Sequence, residues 1–179
     1  MPDAIFAEPR LAEIYDAVDD DRSDLDAYLA MAAEFGARRV LDIGCGTGTL
    51  ACLLAARGLE VIGADPAQAS LDVARRKPGA DQVRWLPVPA ADLPATVQAE
   101  LAFMTGNVAQ VFVTDQDWAA ALTAARNALR PGGRLVFETR DPAQQAWRQW
   151  TRDQTYRRLM IEGTGPVETW TELVAAEAD

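Results

Sequence analysis

Val40-Leu41-Asp42-Ile43-Gly44-Cys45-Gly46-Thr47-Gly48-Thr49 is the stretch that decides the architecture. An apolar strand, Arg39 to Ile43, runs into a loop with glycine at every second position: Gly44, Gly46 and Gly48. A periodic helix follows at once, with Leu50, Leu53 and Leu54 on one face and Gly58 as its C-terminal stop. Glycine admits positive φ and lets a ligand approach bare backbone, while the first turn of a helix offers unpaired N–H groups. The spacing predicts the ligand-cradling first turn of a nucleotide-binding α/β unit.

Spacing also selects the ligand. The dinucleotide fingerprint G-x-G-x-x-G requires a third glycine where Thr49 stands, and glycine comes one step early at Gly48. Asp42, two residues before the first glycine, would repel a pyrophosphate and favour a cationic or zwitterionic ligand. In these residues the chain resembles the class I S-adenosylmethionine-dependent methyltransferases, whose first motif is an acid followed by G-x-G-x-G. A second strand, Glu60 to Ala64, ends at Asp65 and Pro66. An acid there is placed to accept hydrogen bonds from both ribose hydroxyls. A strand-end Asp that caps a helix over Ala67 to Lys77 is the plainer reading of Asp65, and the two roles are compatible.

Composition sets outer limits. The chain has 179 residues, the size of one domain, with a formal net charge of −10. Nucleic-acid substrates are therefore disfavoured, because phosphate binding wants a basic face. The N-terminus has no basic-then-apolar signal and no apolar run approaches membrane-spanning length, which predicts a cytoplasmic protein without a membrane partner. The two cysteines, Cys45 and Cys52, read as small loop or core residues in a reducing cytosol, and no metal site is predicted. Histidine, the commonest general base, is absent.

Along the chain, helical and strand patterns alternate as in a parallel sheet. Leu11, Ile14, Tyr15 and Val18 mark an amphipathic helix broken by Asp19-Asp20-Asp21. A second helix, opened by Ser23 or Asp24, carries Leu25, Tyr28, Leu29, Ala32 and Phe35 and ends at Gly36. Gln82 to Leu86 and Leu101 to Met104 read as strands three and four. Thr114 and Asp117 open a helix over Asp115 to Leu129. The turn Arg130-Pro131-Gly132-Gly133 leads into strand five, Arg134 to Glu138.

The resemblance spans about residues 10–140 and implies a Rossmann-like, doubly wound, mostly parallel sheet of strand order 3-2-1-4-5. It makes residues 1–179 a single methyltransferase domain, with 10–140 binding the cofactor and 141–179 an incomplete substrate-side segment. S-adenosylmethionine would lie across Gly44, Cys45, Gly46 and Gly48, with S-adenosylhomocysteine as product. Tyr15 would cover its methionine end, and Thr105, Gly106 and Asn107, after strand four, would line the transfer site. Met104 to Phe112 would floor the acceptor pocket. Relatives place an adenine-reading acid after strand three; here the stretch Val88-Pro89-Ala90-Ala91-Asp92-Leu93-Pro94 puts Pro89 in its position. That leaves Ala90, Asp92 and Leu93 to hold adenine.

Relatives usually add two antiparallel strands after strand five. Here Pro142 to Leu159 reads as a helix and Val167 to Val174 as one strand, so the chain looks like a shortened form, with an edge that predicts a homodimer through its C-terminal segment. Trp147, Trp150, Trp170 and the arginines around them could meet an anionic or aromatic substrate, but read better as a solvated helix face with packed tryptophans. Base candidates for in-line transfer are Asp141, Glu138 and Tyr15. The motifs of nucleic-acid amino methyltransferases are absent, leaving a small-molecule acceptor. The rivals are a non-catalytic adenosylmethionine-binding module and, further off, an NAD-dependent oxidoreductase.

Overall fold

The structure is a computed structural model that describes residues 2–175. It divides into two compact units, Met1–Thr139 and Arg140–Asp179.

The first unit is built on five parallel strands in the order β3-β2-β1-β4-β5. They are β1 (Arg39–Ile43), β2 (Glu60–Ala64), β3 (Val83–Leu86), β4 (Ala99–Met104) and β5 (Leu129–Phe137). This is the predicted order. The central strands are near-continuous apolar runs because both sheet faces are covered. Val40, Val61, Leu101 and Phe103 face one layer with Leu25, Leu29, Leu50 and Leu54. Their neighbours Leu41, Ile62, Ala102 and Met104 face the other with Ala121 and Ala125. Alternation along each strand thus divides the core between two faces.

The first layer holds α3 (Leu25–Glu34) and α4 (Thr49–Ala55), and the second holds α6 (Asp115–Ala128). Ala121, Ala125 and Ala128 form a buried stripe at helical spacing, and small side chains let α6 lie close to the sheet. Thr114 caps this helix as expected, accepting from the Asp117 amide at 3.1 Å. The N-terminal helices α1 (Ala4–Ala7) and α2 (Pro9–Val18) pack on α5 (Gln68–Ala74).

Strand five differs in its start. Pairing begins at Ala99↔Leu129 and resumes at Leu101↔Arg134, so Arg130 to Gly133 loop out inside the strand. The expected turn is there, but as a bulge, with Gly132 at φ +83° and one strand on both sides.

In the second unit the helix expected over Pro142 to Leu159 does not form. Short 3-10 turns at Pro142–Gln144 and Ala146–Gln149 precede α7 (Arg152–Thr155) and β6 (Arg157–Ile161). Gln145, in left-handed conformation at φ +46°, interrupts any helix there. β6 pairs antiparallel with β7 (Gly165–Thr169), so the single strand expected over Val167 to Val174 is shorter and one arm of a hairpin. Positive φ at Gly163 and Gly165 makes that turn. The arginines are exposed, as expected, though not on a helix face, and two of them stack on tryptophan rings. Arg140 stacks 4.8 Å from the Trp150 ring and Arg152 lies 4.5 Å from Trp170. Among the described residues, no helix is long and apolar enough to cross a membrane.

Candidate cofactor site

The C-terminal ends of β1, β2 and β4 meet around the glycine loop. The backbone at Gly44, Gly46 and Gly48 is left-handed, with φ of 71°, 52° and 77°. Gly44 and Cys45 both donate to the Ala64 carbonyl, at 2.7 and 3.2 Å, pinning the loop to the end of β2. Asp65 continues that seam. One carboxylate oxygen accepts from the Gly46 amide at 2.9 Å and the other from the Ala67 amide at 2.7 Å. It therefore shapes the loop and the turn before α5, whose N-cap is Ala67 rather than Asp65 and has no side-chain cap bond, while a carboxylate retains lone pairs for further donors.

The three glycines have different reasons to be glycine. A side chain at Gly48 would meet the Trp85 ring at 2.5 Å and Ala74 at 2.8 Å. At Gly44 it would meet Val108 at 2.4 Å. At Gly46 it would meet nothing within 4 Å, so bare backbone faces open space there. Gly46 is thus the glycine open to a ligand's approach, while the other two are close-packed. Trp85 on β3 also fills the space above Gly63, a support that the sequence pattern did not reveal.

Asp42 is 1% exposed, and its Oδ1 is a buried oxygen without a hydrogen-bond partner among the described residues. Burial, with the charge of Asp65 beside it, pushes its pKa up to about 7, against the opposing pull of Arg22. Burial also raises Asp65, offset by the amides of Ala67 and Gly46. An orphaned buried carboxylate is costly unless a cation or donor meets it. S-adenosylmethionine carries a sulfonium and an ammonium, and the residues present fit it.

The other expected residues fall on the surrounding elements. Tyr15, on α2, is half-buried, its ring 5.2 Å from Phe6 and its hydroxyl directed to Asp19. Burial and Asp19 push its pKa up to about 12. Pro66 is exposed beside Asp65. After β3, a 3-10 turn at Ala90–Asp92 buries Ala90 and half-buries Leu93 while Asp92 and Pro89 stay exposed. After β4, Thr105 is buried and Gly106 and Asn107 are consecutive left-handed residues, φ 63° and 71°.

Glu138 closes this side. It accepts from the Asn107 amide at 3.1 Å and from the Tyr28 hydroxyl at 2.5 Å. Both oxygens are thus engaged, one holding the loop after β4 and the other tied to α3. Asp141 lies in the second unit, where it caps a turn by accepting from the Ala143 amide at 2.9 Å. Sequence reading missed Asp16, Thr47, Thr49 and Lys77. Thr47 donates to Asp16 at 2.6 Å, and Lys77 reaches Asp16 and Thr49 at 2.7 Å each. The available signal was weak: an acid beside Tyr15 and a lone lysine at a helix end.

Comparison with known proteins agrees with this geometry. A family model described as methyltransferase domain matches residues 40–133. An uncharacterized methyltransferase of Mycobacterium tuberculosis is 39% identical over 116 residues, covering 59% of this chain and 42% of the relative. The demethylmenaquinone methyltransferase of Thermus thermophilus is 41% identical over 110 residues, covering 59% and 49% respectively. The chain spans about half the length of these curated relatives. Among solved structures, the CcbJ methyltransferase from Streptomyces caelestis aligns with a TM-score of 0.68 at 28% identity over 80% of this chain and 61% of that one. An amino pentose methyltransferase of calicheamicin biosynthesis from Micromonospora echinaspora, with the methyl donor bound, aligns at 0.64 and 29% identity, covering 72% and 56%.

Proposed function

The chain belongs to the methyltransferase domain family, and from that premise we propose that it carries a methyl group from S-adenosylmethionine to a small-molecule acceptor. The observation that carries this reading is the fully buried Asp42 carboxylate, its Oδ1 without a partner among the described residues, at the foot of a glycine loop open at Gly46. The amino pentose substrate named for one structural neighbour supports an acceptor of small size.

When bound, the cofactor would supply an electrophilic methyl on a positive sulfur, open to in-line attack by the acceptor with the thioether S-adenosylhomocysteine as the leaving group. The chain's own part is binding and orientation. Asp42 offers negative charge to the cationic methionine end, and Gly46 lets the ligand approach backbone. Asp65 accepts from the ribose, and Ala90 and Leu93 give adenine apolar walls, with Asp92 at the rim. Thr105, Gly106 and Asn107 border the transfer side.

A general base is scarce. Tyr15 holds its proton far above neutrality, and Glu138 is committed to Tyr28 and Asn107. The acceptor therefore brings a nucleophile that is already reactive near neutral pH.

Two further readings belong here. Two free, buried thiols, Cys45 and Cys52, favour a reducing cytoplasm. The β6–β7 hairpin is only two-stranded, and Met160 on it is 77% exposed, which favours a homodimer through the C-terminal segment. Light scattering over a concentration series tests the dimer; a monomer throughout refutes it.

Calorimetric titration with S-adenosylhomocysteine and with NADH tests the cofactor. Micromolar binding of the first alone is expected, and binding of NADH alone overturns the reading. Mass-spectrometric detection of methylated products from a panel of small amines, phenols and quinols tests the transfer.

A further inference from the structure

The N-terminal strap of α1 and α2 is held by polar contacts more than by packing. α1 buries no residue and α2 buries only Ala12. Two of its tethers run to α5 and its end: Ser70 donates to the Phe6 carbonyl at 2.8 Å, and Arg76 pairs with Glu13 at 2.6 Å. The third tether is different, because it ends on the glycine loop itself. Thr47, between Gly46 and Gly48, is 3% exposed and gives its hydroxyl to Asp16 of α2. Lys77, just beyond α5, braces the pair through Asp16 and Thr49.

A loop with three left-handed glycines is expensive to order, since glycine has the most backbone freedom to lose. Thr47 is the side chain anchoring the middle of that loop, and its partner Asp16 directly follows Tyr15. We propose that Asp16, Thr47 and Lys77 are positioning residues, a latch that sets the glycine loop and the strap in the arrangement that binds the cofactor. The latch acts on cofactor affinity by preorganisation and leaves the methyl-transfer step alone. This inference rests on the cofactor reading above.

The test uses isothermal titration with S-adenosylhomocysteine alongside thermal unfolding of the same proteins without ligand. Asp16→Ala and Thr47→Val each lose a charge-assisted hydrogen bond, so affinity falls about tenfold or more. Thr47→Ser keeps the hydroxyl and retains most of the affinity, whereas Asp16→Asn keeps an acceptor oxygen but not the charge that meets Lys77, so it falls between the wild type and Asp16→Ala. The double variant loses little beyond either single one, because one interaction has been removed twice. Alanine is the better helix former, so a merely local role for Asp16 predicts an unaltered or firmer α2. Unchanged affinity in Asp16→Ala and Thr47→Val, beside a wild type that binds, overturns the latch. Thr47→Ser binding as poorly as Thr47→Val overturns it equally. A wild type that does not bind the ligand overturns the cofactor reading instead.

Discussion

Asp42 makes the stability of this protein depend on pH in an unusual direction. Its carboxyl moves from an ordinary 3.8 to about 7 on folding. A raised acid means that the folded chain binds the proton more tightly than the unfolded chain. Stability is therefore unaffected below pH 3.8, falls as pH rises between the two values, and levels off above about 7. At about 1.4 kcal/mol per pH unit the whole penalty is about 4 kcal/mol, of which about 2 kcal/mol develops between pH 5.5 and 8. Raised Asp65 adds in the same sense. The lowered carboxyls of Asp21 and Glu100 act near pH 4 and below, outside this window. For a domain of this size the midpoint of thermal unfolding should fall by about 4–8 °C from pH 5.5 to 8. Asp42→Asn removes the ionisation while keeping the shape, and should flatten most of that slope. Scanning calorimetry on both proteins across the window is the assay. A wild type equally stable at both ends, or an Asn variant with the same slope, would refute the reasoning.

Gly48→Ala should cost about 2–5 kcal/mol, because strain at positive φ adds to a clash with Trp85 and Ala74. Gly46→Ala should cost only the conformational part, about 1–2 kcal/mol, while weakening S-adenosylhomocysteine binding; equal urea midpoints for the two variants would contradict the division of roles. Asp65→Ala should reduce that affinity by about 1.5–3 kcal/mol, and Asp65→Asn by less; calorimetry showing neither effect would remove Asp65 from the ribose. Tyr28→Phe should destabilise by about 1.5–3 kcal/mol through loss of the bond to Glu138, read as a lower thermal midpoint.

Much of this was legible because local rules and tertiary need coincide. The apolar run at Val40 to Ile43, the glycine spacing and Asp65 after the second strand gave the doubly wound unit, since each is a contiguous signal read by period and turn chemistry. The Thr114 cap was readable for the same reason. The C-terminal segment failed as a reading because its arginines and tryptophans pair across sequence, Arg152 with Trp170 and Arg140 with Trp150, and periodicity does not report such partners.

By itself, then, the sequence determined the strand order's building blocks, the left-handed loop and the acid at its foot. Only the tertiary structure decided what those residues do. It buried Asp42 beside Asp65, so that a carboxylate of ordinary acidity became a group that titrates near neutrality. It set Trp85 against Gly48 and left Gly46 open, giving identical residues different tasks. It brought Asp16 and Lys77 to Thr47 across 31 and 30 positions of chain. Burial and long-range hydrogen bonds arise from the packing of distant segments, so no local pattern encodes them.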